Sequence, residues 1–200
     1  MKQKELEMIL QKIKPHPNPI PNLEQYSTPA NVAADALFFA YGQGDIQDKK
    51  VVDPGCGTGI LAIGAKFLGA KDVVALDADD IAVEIAMKNA KELGVDVCLL
   101  TMDFMEFPES CDTILMNPPF GAQKGNVHAD VLFLEKAVNI SEVVYSLHKA
   151  ETQEFLFKKI EDLRRKITHV QKYEFPIPHM FDFHRSDVHK IDIMLLRIIK

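Results

Sequence analysis

The stretch Val51-Val52-Asp53-Pro54-Gly55-Cys56-Gly57-Thr58-Gly59 decides the fold, because a short apolar run passes directly into a glycine-rich loop. A helical pattern over residues 59–68 follows, so the loop joins a buried strand to a helix. Open parallel sheets bind their ligands beyond the carboxyl ends of the strands, where such loops lie. The backbone of Gly55, Gly57 and Gly59 can approach a ligand closely because glycine has no Cβ. The loop therefore predicts a ligand site.

The alternation of strand and helix continues along the chain. Apolar runs alternate with helical patterns, the runs at 73–76, 97–100, 113–116 and 143–147 and the helices at 80–93, 129–139 and 151–165. Short apolar strands between amphipathic helices are typical of a parallel sheet buried on both faces. The last two strands, 167–175 and 190–199, have no helix between them, so we expect them to pair antiparallel. The predicted fold is an α/β fold with a seven-stranded, mostly parallel sheet, an antiparallel edge strand and helices on both faces.

The residues ahead of the first strand predict two helices. The first covers residues 5–13 and ends where a series of prolines begins at Pro15. The hydroxyls of Ser27 and Thr28 are expected to cap the second, whose first turn tolerates Pro29. A chain of 200 residues can bury one ample core, so we expect a single domain. Its parts would be an N-terminal part with these helices in 1–45 and an α/β core in 46–200.

Composition excludes several classes of protein. No apolar run reaches the ~20 residues that span a bilayer, and Glu5 stands where a signal peptide would turn apolar. A cytoplasmic protein is therefore expected. The three cysteines have no Cys-x-x-Cys spacing and the seven histidines no His-x-x-x-His spacing. We accordingly expect no disulfide framework and no metal site.

Charge is unevenly distributed along the chain. The formal net charge of −6 argues against promiscuous binding of nucleic acid, since phosphate contacts need Lys and Arg. Residues 149–200, however, hold eleven Lys and Arg against eight Asp and Glu, a net charge of +3. If RNA docks, the last quarter should carry much of the basic surface. A solvated helix bearing Arg164-Arg165-Lys166 explains that cluster equally well.

Three aspartates follow three successive predicted strands. Asp53 suits an ammonium group, Asp77 can accept hydrogen bonds from the hydroxyls of a ribose, and Asp103 can accept one from an adenine amine. Phe104 would give that adenine a flat neighbour. Ile60 stands where a dinucleotide loop would have its third glycine, so a cofactor without a pyrophosphate is favoured. Together these residues predict a site for S-adenosylmethionine.

The motif Asn117-Pro118-Pro119-Phe120-Gly121 follows the fourth strand. An amine attached to an aromatic ring or a carbonyl is a poor nucleophile, because its lone pair is delocalised. The Asn117 side-chain oxygen and the Pro118 carbonyl can each accept one of its hydrogens and so localise the lone pair. The prolines fix the backbone, and Phe120 offers a face for a flat base. The motif predicts methyl transfer driven by alignment and preorganised dipoles.

The chain resembles the methyltransferase-like protein five family over nearly its whole length. Three segments carry the resemblance: Glu24-Gln25-Tyr26-Ser27-Thr28-Pro29, the segment 117–121, and Tyr145-Ser146-Leu147-His148-Lys149. The resemblance implies a Rossmann-like class I methyltransferase that modifies the 6-amino group of one adenine in small-subunit ribosomal RNA. It also implies that residues 1–45 include a cofactor-covering segment and that 46–200 form the catalytic core. In that segment Gln25 and Thr28 would contact the cofactor, with Tyr26 near its methyl group or the target base. The implied pocket is completed by Gly55, Thr58, Ile60, Asp77, Asp103 and Phe104, and the implied catalytic set is Asn117, Pro118, Pro119 and Phe120.

The resemblance and the charge pattern suggest macromolecular partners. RNA would be contacted by His148, Lys149, His184 and Arg185, although a capped strand end accounts for His148 and Lys149 as well. Eukaryotic family members work with a small zinc-binding activator protein that adds to a sheet edge. Here the third strand would be that edge, with Met102, Met105 and Phe107 as exposed candidates. The alternative is that these three side chains cover the chain's own core.

Three other functions compete with RNA methylation. A protein glutamine methyltransferase meets the same two amide hydrogens, but its usual helical recognition domain has no room in the ~45 residues before the first strand. DNA adenine methylation is disfavoured because no target-recognition domain is evident. A non-catalytic scaffold on the ribosome is the alternative from a different class, and the intact motifs at 53–59 and 117–120 count against it.

Overall fold

The computed structural model describes residues 1–17, 27–120, 129–177 and 189–200. Helices and strands alternate through these ranges as the sequence predicts. The helices are α1 (Gln3–Leu10), α2 (Ala30–Gly42), α3 (Ile60–Phe67), α4 (Asp80–Leu93), α5 (Ala129–Ile140) and α6 (Gln153–Asp162). The strands are β1 (Lys50–Pro54), β2 (Asp72–Asp77), β3 (Cys98–Thr101), β4 (Cys111–Met116), β5 (Ser141–Lys149), β6 (Lys166–Ile177) and β7 (His189–Ile199).

The seven strands form one sheet in the order β3-β2-β1-β4-β5-β7-β6. Strands β1 to β5 pair in parallel, and β7 runs antiparallel to both β5 and β6. The prediction of a mostly parallel sheet with antiparallel pairing at one edge is confirmed. The antiparallel strand β7 lies one position in from the edge, between β5 and β6. The chain winds outward in both directions from β1 and β4, which opens a crevice at their carboxyl ends.

Helices cover both faces of the sheet. Successive residues of a strand point to opposite faces, so Val51 joins the core under α1, α2 and α3, while Val52 joins the core under α5 and α6. Ala90 of α4 is buried in the first core. Burial on both faces explains why the parallel strands read as continuous apolar runs.

A buried polar cluster joins the loop before β1 to the far half of the sheet. The Tyr145 hydroxyl donates to Asp45 Oδ2 over 2.5 Å, and Arg197 Nε donates to the same oxygen over 2.8 Å. Thr113 Oγ1 donates to the Asp45 carbonyl over 2.6 Å. Burial raises the pKa of the Tyr145 phenol well above its ordinary value, so Tyr145 stays a hydrogen-bond donor. These bonds tie β4, β5 and β7 to one loop.

The start of α2 differs from its prediction. Pro29 is the residue that caps the helix, and no side chain caps it through a hydrogen bond, so the expected capping by Ser27 and Thr28 is wrong. The Thr28 hydroxyl is bonded elsewhere: it accepts a hydrogen bond from Asn117 Nδ2 over 3.0 Å. A long-range partner has replaced the local one.

The β3 edge is partly as predicted. Strand β3 is the outermost strand at one end of the sheet, and Met105 beyond it is 39% exposed. Phe107 is 1% exposed and packs in the core under α5, so its predicted exposure is wrong. Within the described ranges no helix is long and apolar enough to cross a membrane.

Candidate active site

A cavity of about 270 Å³ opens above the carboxyl ends of β1, β2 and β4. It collects residues that are far apart in the sequence, because parallel strands end on the same side of the sheet. Eleven of the side chains or backbone positions expected at the site line it: Thr28, Asp53, Gly55, Gly57, Thr58, Ile60, Asp77, Asp103, Phe104, Asn117 and Pro119. The crevice predicted from residues 51–59 therefore exists.

The glycine loop has the backbone geometry that its sequence suggests. Gly55 has a φ of +68°, and a Cβ there would lie 3.4 Å from the Phe133 ring. Gly59 has a φ of +86°, and its Cβ would lie 3.1 Å from that of Ala86. Both φ values are strained for residues with a side chain. Gly59 caps α3 and is not among the residues that line the cavity, and its contact with the cofactor stays a prediction.

Asp53 lies at the floor of the cavity and is 1% exposed. Its Oδ2 accepts a hydrogen bond from the backbone N–H of Ala62 over 3.0 Å, in the first turn of α3. Burial raises the pKa of the carboxyl from its ordinary 3.8 to about 8, although the bond from Ala62 opposes the change. A cationic group placed beside Asp53 would favour the ionised form. The carboxyl is therefore suited to an ammonium ligand.

Asp77 bridges the loop and the start of α4. Its Oδ2 accepts from Gly57 N over 2.8 Å and its Oδ1 accepts from Asp79 N over 3.0 Å. Each oxygen keeps a second lone pair, so the carboxylate can still accept hydrogen bonds from a bound diol. Burial raises the pKa of this carboxyl too. The two backbone bonds fix its orientation.

Asp103 and Phe104 form the wall beyond β3. Asp103 Oδ1 accepts from Met105 N over 2.9 Å, which leaves Oδ2 for a ligand. Phe104 is 2% exposed and packs against Phe133 of α5 with ring centroids 5.2 Å apart. An apolar ring floor beside a carboxylate suits a flat heterocycle with an amino group.

Asn117 presents an unsatisfied acceptor in this cavity. Its Nδ2 is held by Thr28, whereas its Oδ1 is buried and has no hydrogen-bond partner among the described residues. A buried acceptor without a partner is costly, which makes this oxygen available for a ligand. Pro119 lines the cavity, Pro118 is buried beside it, and Phe120 is half-buried against the first core. Pro118 and Phe120 are thus adjacent to the cavity without lining it.

The proposed RNA contact at His148 is wrong. The side chain is fully buried, with Nε2 at 2.7 Å from Ser146 Oγ and Nδ1 at 3.6 Å from Asp130 Oδ2. It faces the second core because β5 alternates its side chains between the two faces. Lys149 is 25% exposed and lies 3.7 Å from Glu151. Gln25, Tyr26, His184 and Arg185 lie outside the described residues.

Several residues that line the cavity were not predicted as site residues, among them Phe133 and His16. Phe133 lines the cavity from the first turns of α5, and its position in an ordinary helical pattern gave no signal. His16 lines it from the segment after α1, with Nε2 at 3.2 Å from Asp79 Oδ2. Its place between Pro15 and Pro17 suggested only a loop. No metal-binding cluster occurs in the described part of the chain.

The fold and the site define a class I methyltransferase, and comparison with known proteins agrees. The family model for ribosomal protein L11 methyltransferase (PrmA) matches residues 37–117. The chain is 35% identical to the zebrafish (Danio rerio) rRNA N(6)-adenosine-methyltransferase METTL5 over 98% of both proteins. The crystal structure of PH1948 from Pyrococcus horikoshii is 40% identical, with a TM-score of 0.92 over 100% of this chain and 98% of that one.

The chain belongs to the METTL5 family, which confirms the resemblance predicted from its motifs. The fold also matches a Synechocystis magnesium protoporphyrin IX methyltransferase with bound S-adenosylmethionine, at 15% identity and a TM-score of 0.66 over 84% of this chain and 77% of that one. The cofactor is S-adenosylmethionine, as the sequence predicted. The cavity suits it, since it combines a buried carboxyl, an oriented carboxylate and an apolar ring wall.

Proposed function

We propose that this chain methylates the 6-amino group of an adenine in ribosomal RNA, and that this RNA is the RNA of the small ribosomal subunit. The observation that carries the proposal is the buried Oδ1 of Asn117, which lacks a partner among the described residues and belongs to a residue that lines the cavity. Asn117 Oδ1 and the Pro118 carbonyl offer two neighbouring acceptors, and a planar amine with two hydrogens is the group that would bind to both. The zebrafish relative is named for this reaction.

The chain's own residues supply alignment. Asn117 Oδ1 and the Pro118 carbonyl would each accept one hydrogen of the amine, which moves its nitrogen toward tetrahedral geometry and directs its lone pair into the cavity. Bound S-adenosylmethionine supplies an electrophilic methyl carbon on sulfur. As the nitrogen–carbon bond forms, the sulfur–carbon bond breaks and its electron pair stays on sulfur. The methylated nitrogen then loses one proton to water, so no general base is needed.

The orientation of the cofactor follows from the three aspartates. Asp53 would hold the ammonium group, Asp77 the ribose hydroxyls and Asp103 the adenine amine, with the Phe104 and Phe133 rings beside the base. In this orientation the methyl group would lie on the side of the cavity that Asn117 lines. Thr28 reaches the same region through its bond to Asn117. We retain Gln25 and Tyr26 as proposed contacts on the strength of the family resemblance.

The target base has to leave its helix to reach Asn117. A paired base cannot enter a cavity at the end of a sheet, so the adenine must lie in a loop or flip out. Phe120, half-buried and next in sequence to the cavity-lining Pro119, is the proposed stacking surface. Lys149, His184 and Arg185 remain the proposed phosphate contacts. An enzyme of ribosomal RNA is expected in the cytoplasm.

A protein partner at the β3 edge is a second part of the proposal. The outer side of β3 offers unpaired backbone groups to an added strand, and Met105 lies exposed beside it. We propose this edge as the docking place for a small zinc-binding activator. Pulldown of such a partner, and methylation measured with and without it, would test this proposal. The Met105→Glu variant should no longer bind the partner and should keep its affinity for S-adenosylmethionine.

Methyl transfer can be tested directly. The chain is incubated with tritiated S-adenosylmethionine and separated ribosomal RNAs, and the RNA is digested to nucleosides. Label is expected in N6-methyladenosine, and Asn117→Ala should abolish it. Asn139→Ala, an exposed asparagine on α5, is the matched control and should leave it unchanged. Label in protein glutamine would instead support the glutamine methyltransferase, and cofactor binding without any transfer would support the scaffold.

A further inference from the structure

Asn89 of α4 joins two segments that meet at the cofactor cavity. The residue is 1% exposed, and its side chain makes three hydrogen bonds. Its Oδ1 accepts from Lys14 N over 3.0 Å, and its Nδ2 donates to the Lys14 carbonyl over 3.1 Å and to the Thr58 carbonyl over 3.1 Å. One buried amide therefore binds both the segment after α1 and the glycine loop.

The segment Lys14–His16, here called the arm, is held at a second point. His16 Nε2 lies 3.2 Å from Asp79 Oδ2, and both side chains are about as buried as the core, at 6% and 5% exposure. Asp79 caps α4 by accepting from Ile81 N and donates its own N–H to Asp77 Oδ1. The arm is thus connected to the same aspartate that we propose for the ribose.

The arm forms part of the cavity wall. His16 lines the cavity together with Thr58 and Asp77, although the sequence between α1 and α2 gives no sign of it. Proline on either side of His16 restricts the backbone, which lowers the entropy lost when the arm packs. This part of the wall is therefore a proline-restricted segment that one buried amide holds in place.

We propose that Asn89 is a positioning residue for the cofactor and that His16 is a cofactor-contacting residue of the ribose end of the cavity. Without the Asn89 side chain, the Lys14 N–H and C=O and the Thr58 C=O lose their partner. Buried polar groups without partners are unfavourable, so the arm would move off to be hydrated. The cofactor would then lose one wall and the restraint on Thr58. This inference rests on the proposed orientation of S-adenosylmethionine.

Two measurements test it on the full chain. Calorimetry gives the Kd for S-adenosylhomocysteine, and trypsin cleavage after Lys12 reports whether the arm is packed. We expect Asn89→Ala and His16→Ala to bind at least about tenfold more weakly. We also expect Asn89→Ala to be cut after Lys12 several-fold faster, and to gain little protection from the ligand. Glu84→Gln, on the exposed side of α4, is the control and should behave as wild type.

The outcomes separate this inference from the proposed function. If wild type binds the ligand and both folded variants bind it equally well, the inference is overturned and the methyltransferase proposal stands. Should Asn89→Ala fail to fold by circular dichroism, His16→Ala decides, because it removes only the end of the arm. A wild-type chain that binds neither S-adenosylhomocysteine nor S-adenosylmethionine would overturn both proposals.

Discussion

Asn117 Nδ2 donates a hydrogen bond to Thr28 Oγ1 over 3.0 Å, joining residues 89 positions apart. The bond fixes which end of the Asn117 amide faces the cavity: the nitrogen is turned to Thr28, and the oxygen is left for a substrate. The Thr28 hydroxyl, just ahead of α2, therefore orients Asn117 Oδ1, the proposed catalytic acceptor.

Replacing Thr28 should reduce catalysis through Asn117. Thr28→Val removes the acceptor for Asn117 Nδ2, so the amide can rotate and the oxygen loses its alignment. We expect kcat for RNA methylation to fall between about tenfold and a hundredfold, with a smaller change in the cofactor Kd. Thr28→Ser keeps the hydroxyl and should retain most of the activity. Equal rates for the valine and wild-type proteins would show that the bond has no catalytic role.

The contribution of Asp53 to the stability of the ligand-free protein should fall as pH rises from about 4 to 8. In the folded chain the Asp53 carboxyl keeps its proton up to a pKa of about 8, whereas in the unfolded chain it releases that proton near 3.8. Unfolding therefore releases a proton in this window, and the free energy of unfolding decreases with pH. Urea titrations of wild type and Asp53→Asn, which cannot titrate there, would measure the difference. Parallel curves for the two proteins across the window would contradict the raised pKa.

Only one cysteine should react quickly in the native protein. Cys98 is exposed, whereas Cys56 and Cys111 are buried. Burial raises the pKa of the Cys56 thiol above its ordinary value and that of Cys111 to about 12, so both remain thiols at pH 8. A disulfide reagent such as DTNB should modify one equivalent at that pH and three in guanidinium chloride. Cys98→Ser should abolish the fast phase, and a fast phase that remained would show that the reagent reaches Cys56 or Cys111 in the native protein.

His148 should matter for stability rather than for RNA affinity. Its ring is bonded to Ser146 and faces Asp130 in the second core, so His148→Ala leaves a buried hydroxyl and a carboxylate without their partner. We expect a loss of about 1–3 kcal/mol in the free energy of unfolding. Lys149→Ala, one position along the strand, should leave stability nearly unchanged. If His148→Ala instead weakened RNA binding and left stability unchanged, the result would support a contact between His148 and RNA phosphate and contradict its burial.

The sequence by itself determined the order of helices and strands, the glycine loop and the residue types that line the cavity. These depend on periodicities of two and about 3.6 residues and on the conformations open to glycine and proline, which act over short stretches. Val51 and Val52 already predict a strand buried on both faces. Asp53, Asp77 and Asn117 could be placed together because parallel strands end on one side of a sheet.

Only the tertiary structure decided how particular side chains are used. Phe107 and His148 resemble surface residues in sequence, but both are buried because α5 covers that face of the sheet. Thr28 could have capped α2 and instead binds Asn117, and Asn89 looks like any polar residue of an amphipathic helix. Hydrogen bonds between distant residues depend on packing that no local pattern encodes. For this reason the cofactor could be predicted from the sequence, whereas the arm and the orientation of Asn117 could not.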